Sequence, residues 1–170
     1  ETLPARAQEL TATQRAFLHV LARVLRDIEW ESETLQVGVF NAARLTPIDQ
    51  PSAFKAIYRV LLDRENGPKA GNLLSFLDRA FVIRRCLELA VDERQFWQET
   101  GTAPAAFEQW LGKEKHKLTG LTKKMVSARS SAERDGNGLN GIELMAAMAD
   151  GKTYCRRVLF PEPVQAHEWL

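Results

Sequence analysis

Apolar residues recur with the helical period through much of this chain, and that period limits the folds open to it more than any other feature. Between residues 13 and 30, Phe17, Leu18, Leu21, Val24, Leu25 and Ile28 fall at steps of three and four, which on a helix makes one wide stripe. Thr11 or Thr13 supplies an oxygen for the orphan amides at its start. Ser32 is the expected cap of a second helix that turns Leu35, Val39, Phe40 and Ala43 inward. Thr46-Pro47-Ile48-Asp49-Gln50-Pro51 interrupts the pattern, because Pro47 disfavours helical backbone at the residue before it. Ser52 restarts a helix carrying Phe54, Ile57, Val60 and Leu61, and Glu65-Asn66-Gly67-Pro68 stops it in a turn. Two shorter helices are expected at 70–76 and 79–89.

The second half reads as helical too, but with more interruptions. Residues 92–99 and 104–131 keep the period and are punctuated by Gly101, Gly112 and Gly120. The stretch from Asp135-Gly136-Asn137-Gly138 to Gly141 reads as a glycine-rich loop before a short helix at 142–149, with Ile142, Leu144, Met145 and Met148 apolar. Asp150-Gly151 ends that helix, and the last twenty residues, with Pro161 and Pro163, read as a tail that lies on the body or is partly disordered. No run alternates as a strand would. The expected fold is all-α, a multi-helix bundle or two small helical subdomains, 1–90 and 91–170, joined near 90–103.

Composition excludes several classes. Apolar residues make up 45% of the chain, enough for a real core. The formal net charge is +1 and each half is nearly neutral, so no global basic field exists and a nucleic-acid surface must be local. Cys86 and Cys155 lack the spacing of a zinc site, and two cysteines in 170 residues fit a reducing cytoplasm. No apolar run approaches the roughly 18 to 20 residues of a membrane span. The start, Glu1-Thr2-Leu3-Pro4, carries neither a secretory pattern nor an initiating Met, which points to a fragment.

One local charge concentration stands out. Residues 113–134 hold Lys113, Lys115, Lys117, Lys123, Lys124, Arg129 and Arg134 against only Glu114 and Glu133, an excess of five. On a continuous helix Lys113, Lys117 and Lys124 fall within about 40° of one another, a stripe able to follow phosphates. A solvated helix face is the plainer reading of the same residues. Trp30, Trp97, Trp110 and Trp169 are candidates for stacking on splayed bases, although Trp30 and Trp110 sit at core spacing. Asp135-Gly136-Asn137-Gly138 matches the middle of a calcium-binding loop, but the last position, which needs a bidentate Glu, holds Leu144. Gly67-Pro68-Lys69-Ala70-Gly71 lacks phosphate-loop spacing. His19, His116 and His167 are scattered, and no metal or catalytic constellation emerges from the spacing.

The run Phe54-Lys55-Ala56-Ile57-Tyr58-Arg59-Val60-Leu61-Leu62, the turn Glu65-Asn66-Gly67-Pro68-Lys69-Ala70-Gly71, and Leu74-Ser75-Phe76-Leu77-Asp78-Arg79-Ala80-Phe81-Val82-Ile83 resemble the C-terminal region of class I lysyl-tRNA synthetases. The segment from Leu10 to Ala43 shares the order of a long helix, a Trp-acidic turn and a second helix, so the resemblance covers about residues 10–90. It implies a helical domain that binds the tRNA anticodon arm while a catalytic domain upstream, using ATP and magnesium, attaches lysine. That catalytic domain is marked in the family by an H-I-G-H-like and a K-M-S-K-S-like motif. The first is absent here, and Lys124-Met125-Val126-Ser127 echoes the second without its final lysine. The fragment itself is therefore expected to carry no catalytic residue, metal or cofactor, with tRNA as its partner and the cytoplasm as its place. The expected phosphate contacts are Lys113, Lys115, Lys117, Lys123, Lys124 and Arg129, with Arg59, Arg64 and Lys69 behind them. The competing reading is a non-catalytic helical module for protein–protein interaction.

Overall fold

The computed structural model describes residues 2–126 and 140–161, with the backbone alone at 106–107, 122–126, 140–141, 143–144 and 154–157. Helix α1, Ala12–Leu25, is the element around which the others pack. Ala12, Ala16, Phe17, Leu18, Val20, Leu21, Ala22 and Leu25 are all buried, so α1 is covered on nearly every side. Each large apolar side chain among them contributes about 1.5–3 kcal/mol by leaving water. Thr11 caps its start: the hydroxyl accepts from the Gln14 amide, and the Gln14 side chain accepts from the Thr11 amide.

The helix expected over 13–30 ends sooner, at Leu25. The chain turns at 26–31, where Arg79 donates to the carbonyls of Arg26 at 3.5 Å and Ile28 at 2.6 Å. Its guanidinium also lies over the Trp30 ring at 5.2 Å. A cation satisfying carbonyls just past a helix C-terminus suits both their lone pairs and the helix dipole.

Helices α2 (Ser32–Arg44), α3 (Gln50–Leu62), α4 (Ala70–Ser75) and α5 (Arg79–Leu87) follow in the expected order. Ser32 is the first residue of α2 and not its cap; its hydroxyl donates instead to Asn72. α3 starts two residues before Ser52 because the Asp49 carboxylate takes the Ser52 amide at 2.8 Å and Pro51 fits the first turn. Asp78 caps α5 in the same way through the Phe81 amide. Leu35, Val39, Ala53, Ala56, Ile57, Val60, Leu74 and Val82 complete the main core with α1. α4 rides unusually close on α2. A Cβ on Gly71 would fall on the Ser32 carbonyl oxygen, and the Gly71 amide donates to Gln36 at 2.6 Å.

Beyond residue 90 come α6 (Glu93–Thr100) and α7 (Pro104–Glu114). Phe96 of α6 is fully buried in the main core. A single 3-10 turn, Lys115–Lys117, then ends the helical part. The fold is mostly helical, as expected, but three strands follow: β1 (Leu118–Val126), β2 (Asn140–Met148) and β3 (Thr153–Phe160), antiparallel in the order β1-β2-β3. The helix expected over 104–131 holds as α7 to Glu114, while the strands correct it over 118–126, correct the helix expected at 142–149, and replace the expected tail over 153–160.

The physical reason is visible in β2. Ile142, Ala146 and Met148 are buried while Met145 is 43% exposed, a period of two that a 3.6-residue reading of Ile142, Met145 and Met148 disguised. Val158 stands opposite Ile142 in register, and both are buried. With Phe160 they form a second small core against Trp97, Trp110 and Leu111. Trp97 joins the two cores. Its indole N–H donates to the Leu159 carbonyl at 2.9 Å, and its ring meets Phe160 edge to face at 5.7 Å.

Replacing Gly71 by alanine forces α4 off α2 and is expected to lower stability by about 1–3 kcal/mol, the usual cost of overpacking. Urea denaturation of the two proteins checks this, and an unchanged midpoint would show that the helices are not in close contact.

Candidate nucleic-acid interface

The end of α7 and the 3-10 turn bring Lys113, Lys115 and Lys117 to the surface, where all three are exposed. The helix stops at Glu114, so the continuous helical stripe expected through Lys124 is not formed: Lys123 and Lys124 belong to a strand instead. In register, Lys123 pairs with Leu144 and Lys124 with Glu143 across β1 and β2. Arg129 and Arg134 lie outside the described residues, as do most of the glycine-rich loop and Trp169.

A different set of cations is drawn together in place of the stripe. The Ala149 amide donates to the Lys117 carbonyl at 2.6 Å, which fixes the β2–β3 turn beside the start of β1. That turn is closed by the Met148 amide on the Lys152 carbonyl at 2.9 Å and by the Lys152 amide on Asp150 at 2.9 Å. Lys152 is exposed, so one end of the sheet presents Lys113, Lys115, Lys117 and Lys152 against Glu114 and Asp150. Glu114 is spoken for in part, by Lys117 at 3.0 Å. Some of this charge serves the protein itself, since cations near a helix C-terminus gain about 0.3–1 kcal/mol from the dipole.

The other expected cations are differently placed. Arg59 makes a two-pronged ion pair with Glu65, its Nη2 at 2.8 and 3.0 Å from the two carboxylate oxygens. Its side chain is only 18% exposed, and the pair secures the turn after α3. The Arg59 hydrogen bond holds the Glu65 carboxyl below its ordinary range. Arg64 is exposed in that turn, and Lys69, at the start of α4, lies 4.0 Å from Glu33. These three therefore stand apart in sequence and element from the cationic end of the sheet. Of the tryptophans, Trp30 and Trp97 spend their N–H groups on backbone carbonyls, and Trp110 packs in the small core.

The molecule also has a cavity of about 380 Å³, bounded by Leu10, Thr11, Ala12, Arg15, Asp92, Gln95 and Glu99. Its carboxylates act as helix caps. Asp92 accepts the Gln95 amide at the start of α6, and Glu99 accepts the Ala12 and Thr13 amides, at 3.2 and 2.9 Å, plus the Thr13 hydroxyl. Arg15 donates to the carbonyls of Gln8, Leu10 and Ala90. Burial pushes the Cys86 thiol up to about 12, which leaves it without thiolate character. Among the described residues no group of three His, Cys, Asp or Glu side chains is placed to hold a metal, and no helix is long and apolar enough to cross a membrane.

Similarity to known proteins is confined to one part of the chain. It is 38% identical over 85 residues to a lysine–tRNA ligase of Natronomonas pharaonis, which covers 50% of this chain. It is 38% identical over 89 residues to that of Methanopyrus kandleri, covering 49%, and 38% over 79 residues to that of Halobacterium salinarum, covering 46%. Half of this chain is similar to archaeal lysine–tRNA ligases. The chain spans only about 15% of the length of these relatives. No protein-family model matches the chain, and no solved structure does.

Lys152 is the exposed lysine at this end of the sheet that sequence reasoning did not include. It sits 35 positions after Lys117, and only the strand pairing that joins the β2–β3 turn to β1 brings it near. A period-two reading of 140–148 was the available signal.

The Glu99 cap carries a pH dependence. Burial raises its carboxyl, but the Thr13 hydroxyl and amide, with Gln95 and the Ala12 amide, outweigh this and leave it below the ordinary glutamate value. A carboxyl depressed on folding stabilises the protein above its unfolded value, and this stability is lost as pH falls through the folded value. The stability gap between the native protein and Glu99→Gln is therefore expected to be widest at pH 7 and to close towards pH 3. A gap independent of pH, measured by thermal melts across that range, would contradict the capping role.

Proposed function

We propose that this chain is a non-catalytic part of a lysine–tRNA ligase or a close relative, and that it binds tRNA. The observation that carries this reading is the similarity of half the chain to archaeal lysine–tRNA ligases at 38% identity. In such a protein ATP and magnesium act with lysine in a catalytic domain elsewhere, and this chain supplies orientation. The anticodon arm is the tRNA element we assign to it, following the resemblance of residues 10–90.

The cationic end of the sheet supports an RNA contact on physical grounds. Lys113, Lys115, Lys117 and Lys152 are exposed and lie on elements fixed to one another by backbone hydrogen bonds. Phosphate contacts of this kind set the register of an RNA on a protein, and their strength falls steeply with salt. Lys123 and Lys124 on β1 continue the same strand, and Arg129 follows it in sequence. Arg64 and Lys69 belong to the α3–α4 turn and would touch RNA only as a second, separate contact; Arg59 serves to hold that turn through Glu65.

The test is binding of the chain to unfractionated tRNA and to a lysine-specific transcript across a salt series. The lysine transcript is expected to bind more tightly at moderate salt. Charge reversal at Lys113, Lys117 and Lys152 is expected to flatten the slope of log affinity against log salt by about 2 to 3, roughly one for each phosphate that the protein ceases to neutralise. Absence of binding to either RNA at low salt would overturn the proposal.

A further inference from the structure

Phe76 is 87% exposed, the most exposed large apolar side chain among the described residues. A phenyl ring of this kind leaves unused the apolar area that folding normally removes from water. The ring is not on a loose segment. It follows α4 directly, and the Trp30 indole N–H donates to carbonyls on either side of it, Leu74 at 3.0 Å and Leu77 at 2.8 Å. The backbone around Phe76 is thus braced by one rigid side chain. Arg79 stacks on that indole and Gly71 seats α4 on α2, so the platform under the ring is fixed.

The charge around this platform is the opposite of that at the end of the sheet. Because Trp30 touches the backbone either side of Phe76, the turn that carries it and the first turn of α2 are brought alongside, with Asp27, Glu29, Glu31 and Glu33 all exposed. Asp78, also exposed, follows two residues after the ring. These five carboxylates outnumber three cations: Arg26, exposed in the same turn, Arg79, held on the carbonyls of Arg26 and Ile28, and Lys69, beside Glu33. The rim is net negative, which disfavours a phosphate backbone. A protein surface with lysines or arginines around an apolar side chain is matched by it, the carboxylates meeting the cations and the ring the apolar group.

We infer that Phe76, with the acidic segment at residues 27–33, is a docking site for a basic protein segment built around an apolar side chain, distinct from the RNA contact. Rigid backbone support lowers the ordering cost of binding there, which favours an exposed aromatic as an anchor.

The probe is a fluorescent 12-residue peptide with two central leucines flanked by lysines, with a glutamate-flanked peptide as control, added to the full chain. The lysine peptide is expected to bind and the control not to bind. Phe76→Ser is expected to weaken binding about tenfold or more while leaving the melting temperature unchanged, since the ring is exposed. Glu29→Lys with Glu31→Lys is expected to abolish the salt dependence. Four results would overturn the inference: no binding of the lysine peptide, binding unaffected by Phe76→Ser, Phe76-dependent binding of an oligouridylate in place of the peptide, or Phe76-dependent self-association of the chain. The tRNA salt series reads lysines on different elements, so it fails or succeeds independently of this result.

Discussion

Burying α1 on nearly all sides is the constraint from which the rest of the helical part follows. The backbone groups at its ends have no partner within the helix, and each one left buried and unpaired would cost about 1–3 kcal/mol. Both ends are answered by side chains from elsewhere in the chain. Glu99 of α6 takes the amides at the N-terminus, and Arg79 of α5 takes the carbonyls just past the C-terminus. Those two sets of bonds place α5 and α6 against α1, while Phe17, Leu21 and Leu25 fill the space with α2 and α3. The same Arg79 stacks on Trp30, and Trp30 in turn holds the chain around Phe76. A single requirement, satisfying the ends of one buried helix, thus reaches the surface at an exposed aromatic ring.

Much of this was legible in the sequence. The stripe of Phe17, Leu18, Leu21 and Leu25 dictated α1, and the Pro47 interruption and the Gly67-Pro68 turn set the limits of α2 and α3. The length of α1 was not legible, because the apolar series continues to Ile28 while the carbonyls there are bound by a residue 51 positions away. A local period cannot register such a tertiary partner. Starts of helices erred by one or two residues for the same reason, since Ser32 gives its hydroxyl to Asn72 and Asp49 competes successfully with Ser52 as a cap.

The sheet was the larger departure. Residues 142–148 hold apolar side chains at so many positions that both periods fit, and helix-forming Glu, Leu, Met and Ala tilt the reading towards a helix. Partners on β1 and β3 decide the matter, with Val158 opposite Ile142. The consequence for the basic surface is direct. Lysines expected to align along one helix are split between a helix end and a strand, and Lys152 arrives from a distant turn to join them. Charge could be counted from the sequence; its arrangement could not, because it depends on pairing across long stretches of chain. The two regions now differ in sign, lysines at the end of the sheet and carboxylates around Phe76, although the chain as a whole is almost neutral.

RNA bound at the end of the sheet would shield a defined pair of segments. Amide hydrogen exchange on the full chain, with and without a lysine-specific tRNA transcript, locates the contact without altering any residue. Protection is expected to rise over residues 113–119 and 148–153 and to stay unchanged over 27–33 and 72–79. Protection confined to the second pair of segments, or none anywhere at saturating RNA, would contradict an RNA contact at the sheet.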